Sequence, residues 1–162
     1  MSFGMNMKVK VDKRKGIVGT DLFRFFDNGI RKRLPKLVAQ EYYRLLIRNI
    51  ENNSFGFVLS KDWSNSKKSR GADPRPFIEY GTYKSAITIK TVDGHLSVGF
   101  MSIVHPSAGV TVGKLARLLE YGNLSKGLPA RPLWRRTTEQ FQREVLKKSL
   151  RNHVKNALNG TR

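Results

Sequence analysis

From Leu34 to Ile50 the apolar residues Leu34, Leu37, Val38, Tyr42, Leu45, Leu46 and Ile50 recur at intervals of three and four, laying a single stripe along one helix. Pro35 is expected to open it, because a proline's φ is already helical and its missing N–H costs nothing in a first turn. Ahead of this helix, Met5, Met7, Val9 and Val11 alternate with Asn6, Lys8, Lys10 and Asp12, the period of a half-buried strand. Thr20 is placed to cap a short helix carrying Leu22, Phe23, Phe25, Phe26 and Ile30.

Two β-prone runs follow, Ala86 to Val92 and His95 to Val104, separated by Asp93-Gly94. Asp-Gly accepts the positive φ of a two-residue turn, so the pair predicts an antiparallel hairpin. Leu115 to Tyr121 reads as a short apolar helix closed by Gly122, where a left-handed conformation can end it. The last helix is expected to start near Pro132 or at Thr137, where Thr137-x-x-Gln140 offers a capping box, and to carry Phe141, Val145, Leu146, Leu150, Val154 and Leu158. These elements add up to an α+β class: a small antiparallel sheet with a long preceding helix and a C-terminal helix packed on it.

Between residues 53 and 76 the pattern lapses into Asn, Ser, Lys, Gly and Pro, with Phe55, Phe57, Val58, Leu59 and Trp63 as the strong anchors. Such a stretch buries too little apolar surface to fix itself, so it is expected to be a mobile basic loop until a partner holds it. At 162 residues the chain fits one domain, residues 1–162, with a real core.

Charge changes the picture most. Lys and Arg number 31 against 12 Asp and Glu, a net charge of +19, and self-repulsion on that scale calls for an acidic or polyanionic partner. Candidate contacts with DNA or an acidic surface are Lys13, Arg14, Lys15, Arg31, Lys32, Arg33, Arg135 and Arg136, with further basic pairs at Lys67-Lys68 and Lys147-Lys148. Most aromatics sit at apolar-periodic positions such as Phe23, Tyr42 and Phe141, which makes them core and not stacking platforms for bases.

Catalytic chemistry finds little footing. There is no cysteine, so disulfides, thiolate metal sites and cysteine nucleophiles are excluded together. His95, His105 and His153 have no metal-ligand spacing, the carboxylates are scattered apart from Asp73 and Glu79, and neither a Gly-x-Ser-x-Gly elbow nor a phosphate-cradling glycine loop occurs. No enzyme, no metal and no cofactor is expected. No apolar run approaches the ~18 residues that span a bilayer, and Met1 to Val11 lacks the apolar block of a signal peptide, so no membrane partner and a cytoplasmic site of synthesis are expected.

Two segments carry a resemblance. Glu120, Tyr121 and Gly122, followed by Pro129, Ala130, Arg131 and Pro132, match a pattern in which an apolar helix ends at glycine and a Pro-Ala-Arg-Pro turn enters the C-terminal helix. Upstream, Trp63 to Ile87, with Lys67, Lys68, Gly71, Pro74, Pro76, Phe77, Ile78, Gly81, Tyr83 and Ile87, looks like a basic loop running into an element of the type Pro-Leu-Ile-Asp-Thr-Gly-x-Leu-x-x-Ile. In both respects the chain resembles the tail-completion, or tail-to-head joining, proteins of long-tailed bacteriophages, the group that includes minor tail protein Z. It departs from them at Tyr80-Gly81, where Thr-Gly is usual, with Glu79 before it.

The resemblance implies a non-catalytic virion protein at the phage neck, made in the host cytoplasm. It would form an oligomeric ring with copies of itself, meet the tail terminator and the head–tail connector, and pass genomic DNA without reading its sequence. The subunit or partner interface would then use Glu120, Tyr121, Arg131 and Trp134, with Trp63, Lys67, Lys68 and Arg70 as a docking loop, while Gly122, Pro129, Ala130, Pro132 and Gly81 make structural turns. The bland alternative keeps these residues inside one subunit, with Tyr121 in the core, Arg131 paired with Glu120 and Trp134 a buried anchor. A different class, a non-specific basic nucleic-acid-binding module, fits the same charge.

Overall fold

The computed structural model describes residues 32–158 apart from 93, 94, 124 and 126. The strand expected at 5–11, the helix after Thr20, and the basic residues Lys13, Arg14, Lys15 and Arg31 lie outside the described residues, as does the side chain of Lys32.

Helix α1 (Lys32–Glu51) is the centre of the fold. Its stripe is buried as the periodicity requires, with Leu34, Val38, Tyr42, Leu45, Leu46 and Ile50 in the core. Pro35 does not open it but lies inside it, in the first described turn. Asn49 shares the buried stripe and avoids an unsatisfied amide by donating to Thr137 Oγ1 (3.1 Å) and Gln140 Oε1 (3.0 Å).

Helix α2 (Lys61–Ser69) and the short α3 (Thr82–Ser85) lead to strands β1 (Ile87–Val92) and β2 (His95–Phe100). The strands pair antiparallel from Ile87↔Phe100 to Val92↔His95, the register that a two-residue connection demands. Ile87 and Ile89 thereby face Phe100 and Val98 across the ladder, and Ile87, Val98 and Phe100 join the core. β2 stops at Phe100, short of the Val104 expected from its β-prone run, and Val104 keeps only an isolated bridge to Thr111.

Helix α4 (Val112–Tyr121) is capped by Thr111, whose side chain accepts from the Lys114 N–H. The C-terminal helix is built of α5 (Leu133–Gln140), a π-helical segment (Phe141–Leu146) and α6 (Lys147–Leu158). The capping box at Thr137 does not form: Thr137 is fully buried inside α5 and accepts from Asn49. The wider π turn carries the buried stripe from Leu133, Thr137 and Phe141 over to Leu146 and Leu150. The described residues are thus α+β, with helices around a two-stranded antiparallel sheet, a long helix before it and a helix after it.

An unbroken line of ring contacts runs through this core. Phe55, Phe57, Phe77, Tyr83, Phe100, Trp134, Tyr42 and Phe141 touch in that order, with centroids 5.1–6.5 Å apart. Edge and tilted geometries of this kind add to the burial of large rings. The line also explains how a polar segment is held, since its first three members come from residues 55–77.

Candidate subunit interface

The two segments singled out in the sequence meet in space. Trp134 Nε1 donates to Tyr83 Oη at 3.2 Å, joining the start of α5 to α3 in the buried interior. Trp134 is therefore a core anchor and not an exposed hot spot.

Around it, the α4–α5 junction solves the problem of two helix ends meeting. The carbonyls of Leu118 and Leu119 would be orphaned at the end of α4, but they accept the N–H groups of Gly122 (2.8 Å) and Arg131 (2.6 Å). At the start of α5 the N-terminal N–H groups need an acceptor, and Pro132 supplies no side-chain cap. Glu120 fills that role from α4: its carboxylate accepts from Trp134 N and Arg135 N, both at 3.0 Å. Glu120 thus does not pair with Arg131, in contrast to the intramolecular reading of the sequence, because its two oxygens are already taken by the backbone.

Gly122 makes the junction possible. Its φ of 71° lies in the left-handed region, and a Cβ there would stand 2.7 Å from Ala130 N and 2.8 Å from Leu128 O. Asn123 and Leu128 exchange backbone hydrogen bonds (2.8 and 2.9 Å) and so close the intervening loop, with Pro129 and Ala130 beyond it. Gly81, ahead of α3, shares the left-handed φ (76°) but not the close approach, since a Cβ there would meet nothing within 4 Å. Phe77 also takes a positive φ, 60°, unusual for a bulky residue, and is held there between the rings of Phe57 and Tyr83.

Residues 53–76 are more structured than their composition suggests. Ser60 caps α2 by accepting from Trp63 N, and Asp62 and Lys67-Lys68 sit at the helix ends that favour their charges. Lys67 does not offer its charge to a partner, as the docking-loop reading requires: it is buried and donates to the carbonyls of Arg75 (2.8 Å) and Ile78 (3.0 Å). It staples the segment from within. Burial pulls its ammonium below the usual lysine range, opposed by Glu79 and Asp73. Arg70 is exposed but turned inward to Glu79 Oε1 at 2.7 Å, while Lys68 is exposed to solvent.

Arg131 is the outlier. Only 7% exposed, it has no carboxylate partner among the described residues; Nη2 donates to Val58 O at 3.3 Å and Nε has no acceptor. Burial pulls its guanidinium below the ordinary arginine range. Val58, whose carbonyl it touches, is 79% exposed; Tyr121, at the end of α4, is 62% exposed. Tyr121 is consequently not a core residue. Trp63, on α2, is 56% exposed over a shallow depression of about 250 Å³ shared with Asp62, Ser66 and Arg70.

Of the remaining basic candidates, Arg33, Arg135 and Arg136 are exposed. The Arg136 guanidinium lies over the Phe55 and Phe57 rings, 5.9 and 5.4 Å from their centroids, and so is partly committed to the fold. Among the described residues, no group of three or more His, Cys, Asp or Glu side chains is placed to hold a metal ion, and no helix is long and apolar enough to cross a membrane. Sequence reasoning missed the capping role of Glu120 and the exposure of Val58, for which no local signal exists.

No protein-family model, curated protein or solved structure matches the chain.

Proposed function

We propose that the chain is a virion structural protein of a tailed bacteriophage, a non-catalytic subunit of an oligomeric ring that completes the head-proximal end of the tail and helps join it to the head. The observation that carries this reading is Arg131: a buried guanidinium without a carboxylate partner among the described residues, bonded to the carbonyl of Val58, whose own side chain is exposed. A desolvated cation is costly unless an acidic group meets it, and exposed apolar surface gains by being covered. An adjoining copy or neck protein that lays an acidic side chain against Arg131 and an apolar one over Val58 satisfies both demands at once.

Further support comes from the resemblance to tail-completion proteins, whose two matching segments in this chain are joined through Trp134 and Tyr83. On this reading the subunit is made in the host cytoplasm and resides in the virion neck, between the tail terminator and the connector.

Mass photometry and negative-stain electron microscopy of the purified protein test the proposal. Closed rings are expected, and Val58→Ser with Tyr121→Ser should reduce them to monomers without lowering the melting temperature of the subunit. A protein that stays monomeric at every concentration, in a phage that assembles joined and infectious particles without it, would overturn the reading.

A further inference from the structure

Along α6 the cations Lys147, Arg151 and Lys155 recur every four residues, with Arg143 four residues before them in the π-helical segment and Lys148 alongside. All five are exposed. Positions four apart on a helix are neighbours, so each turn sets one positive charge over the next, an arrangement that weakens an isolated helix. Glu139 and Glu144 stand four residues before Arg143 and Lys148, but among the described residues neither closes an ion pair with them, and no acid stands four residues from Arg151 or Lys155. The only acid between 142 and 156 is Glu144, which is engaged by Gln140 Nε2 at 3.1 Å. Glu41, on the packed side of the helix, binds His153 Nε2 at 3.2 Å. None of the five cations forms an ion pair among the described residues.

The row is also rigidly presented. Ser149 is buried and Val145, Leu146 and Leu150 pack on the core, which fixes the opposite face toward solvent. We infer that this face, Arg143, Lys147, Lys148, Arg151 and Lys155, is a binding site for the phosphate backbone of duplex DNA.

Three features favour that ligand. At ~1.5 Å of rise per residue, the stretch from Lys147 to Lys155 is ~12 Å long with cations ~6 Å apart, and duplex DNA carries one negative charge per ~1.7 Å of axis. A straight polyanion of high charge density therefore matches a straight row of cations. The segment 142–156 contains no Phe, Tyr or Trp, so it offers no platform on which the bases of a single strand could stack. Its apolar side is consumed by the core, which leaves no face to insert into a lipid surface. Contacts of this kind hold the backbone and read no sequence. The site does not depend on ring formation, because every residue in it belongs to one chain.

Fluorescence anisotropy with a short labelled DNA duplex and the full chain, between about 50 and 200 mM salt, tests the inference. The triple variant Lys147→Ala, Arg151→Ala, Lys155→Ala is compared with Lys61→Ala, Lys90→Ala, Lys114→Ala, which removes the same charge from positions elsewhere on the surface. The slope of log affinity against log salt should fall by about 2.7 in the first, at ~0.9 per lost phosphate contact, and stay unchanged in the second. Alanine favours helix, so the first variant should fold, which circular dichroism verifies. Lys147→Arg with Lys155→Arg should preserve the slope. Equal losses in both triple variants, or no loss in the first, would overturn the site. Tighter binding of a single strand, or tighter binding of polyglutamate with the same dependence on the row, would overturn duplex DNA as its ligand.

Discussion

Glu120 caps a helix to which it does not belong, accepting the backbone N–H of Trp134 at 3.0 Å across fourteen residues of chain. Together with its bond to Arg135 N, this carboxylate replaces the missing side-chain cap at Pro132 and fixes the angle at which α4 and α5 meet. Glu120→Ala orphans two N–H groups and should cost about 3 kcal/mol. Glu120→Gln, which keeps one acceptor, should cost roughly half as much. Urea unfolding would show both as a lowered midpoint at constant m.

Gly122 precedes the loop closed by Asn123 and Leu128 and Gly127 lies within it; both have positive φ, 71° and 62°, yet they should respond differently to a methyl group. At Gly122 the new Cβ meets backbone atoms of Ala130 and Leu128, whereas at Gly127 nothing lies within 4 Å. Gly122→Ala should destabilise by about 3 kcal/mol, since strain and a backbone clash combine. Gly127→Ala should cost about 1 kcal/mol, the strain alone. Equal losses in chemical denaturation would contradict the close approach.

Arg131→Met separates folding from assembly. Replacing a buried, unpaired cation by an apolar side chain should leave the isolated subunit as stable as before, or more stable by about 1 kcal/mol. If the proposed ring forms through Arg131, assembly should be lost, because the acidic group proposed to meet it then has no cation. Melting curves and mass photometry on the same preparation read the two effects, and a variant that melts lower yet still assembles would assign Arg131 to the fold alone.

Alkaline pH should unfold the protein through its buried phenols. Burial raises the pKa of Tyr83 well above the ordinary tyrosine value of 10.0 and raises that of Tyr42 as well. Unfolded tyrosines release their protons near pH 10 while the native ones keep theirs. The unfolded state then binds fewer protons, and stability, fully present below that pH, falls by about 1.4 kcal/mol per pH unit for each tyrosine. Lys67 acts in the opposite sense: its pKa is lowered by burial, so between its native pKa and 10.5 the unfolded state holds the extra proton and stability rises with pH. Tyr83→Phe should make the alkaline loss shallower and Lys67→Met should make it steeper, followed by phenolate absorbance and circular dichroism together.

Period and turn chemistry are local, and they make much of the fold legible in the chain itself. The stripe of α1, the Asp93-Gly94 hairpin and its register, the glycine end of α4 and the α+β class all follow from short-range spacing. Residues 53–76 are legible only in part. Their polar composition hides α2, because the side chain it buries is that of Lys67, and the lysine is made tolerable by two carbonyls that lie eight and eleven residues away.

The candidate interface follows the same division. Sequence pattern picks out Glu120, Tyr121, Gly122 and Arg131 as a group, but their roles depend on which partners arrive from elsewhere: the N–H groups of α5 for Glu120, the carbonyl of Val58 for Arg131, and solvent for Tyr121. Hydrogen-bond satisfaction is decided in three dimensions by atoms far apart in the chain, so a spacing rule cannot foresee it. The sequence alone determined the main helices, the hairpin and the excess of positive charge; tertiary structure decided which charges are buried and held and which face outward, because that outcome rests on long-range packing and desolvation.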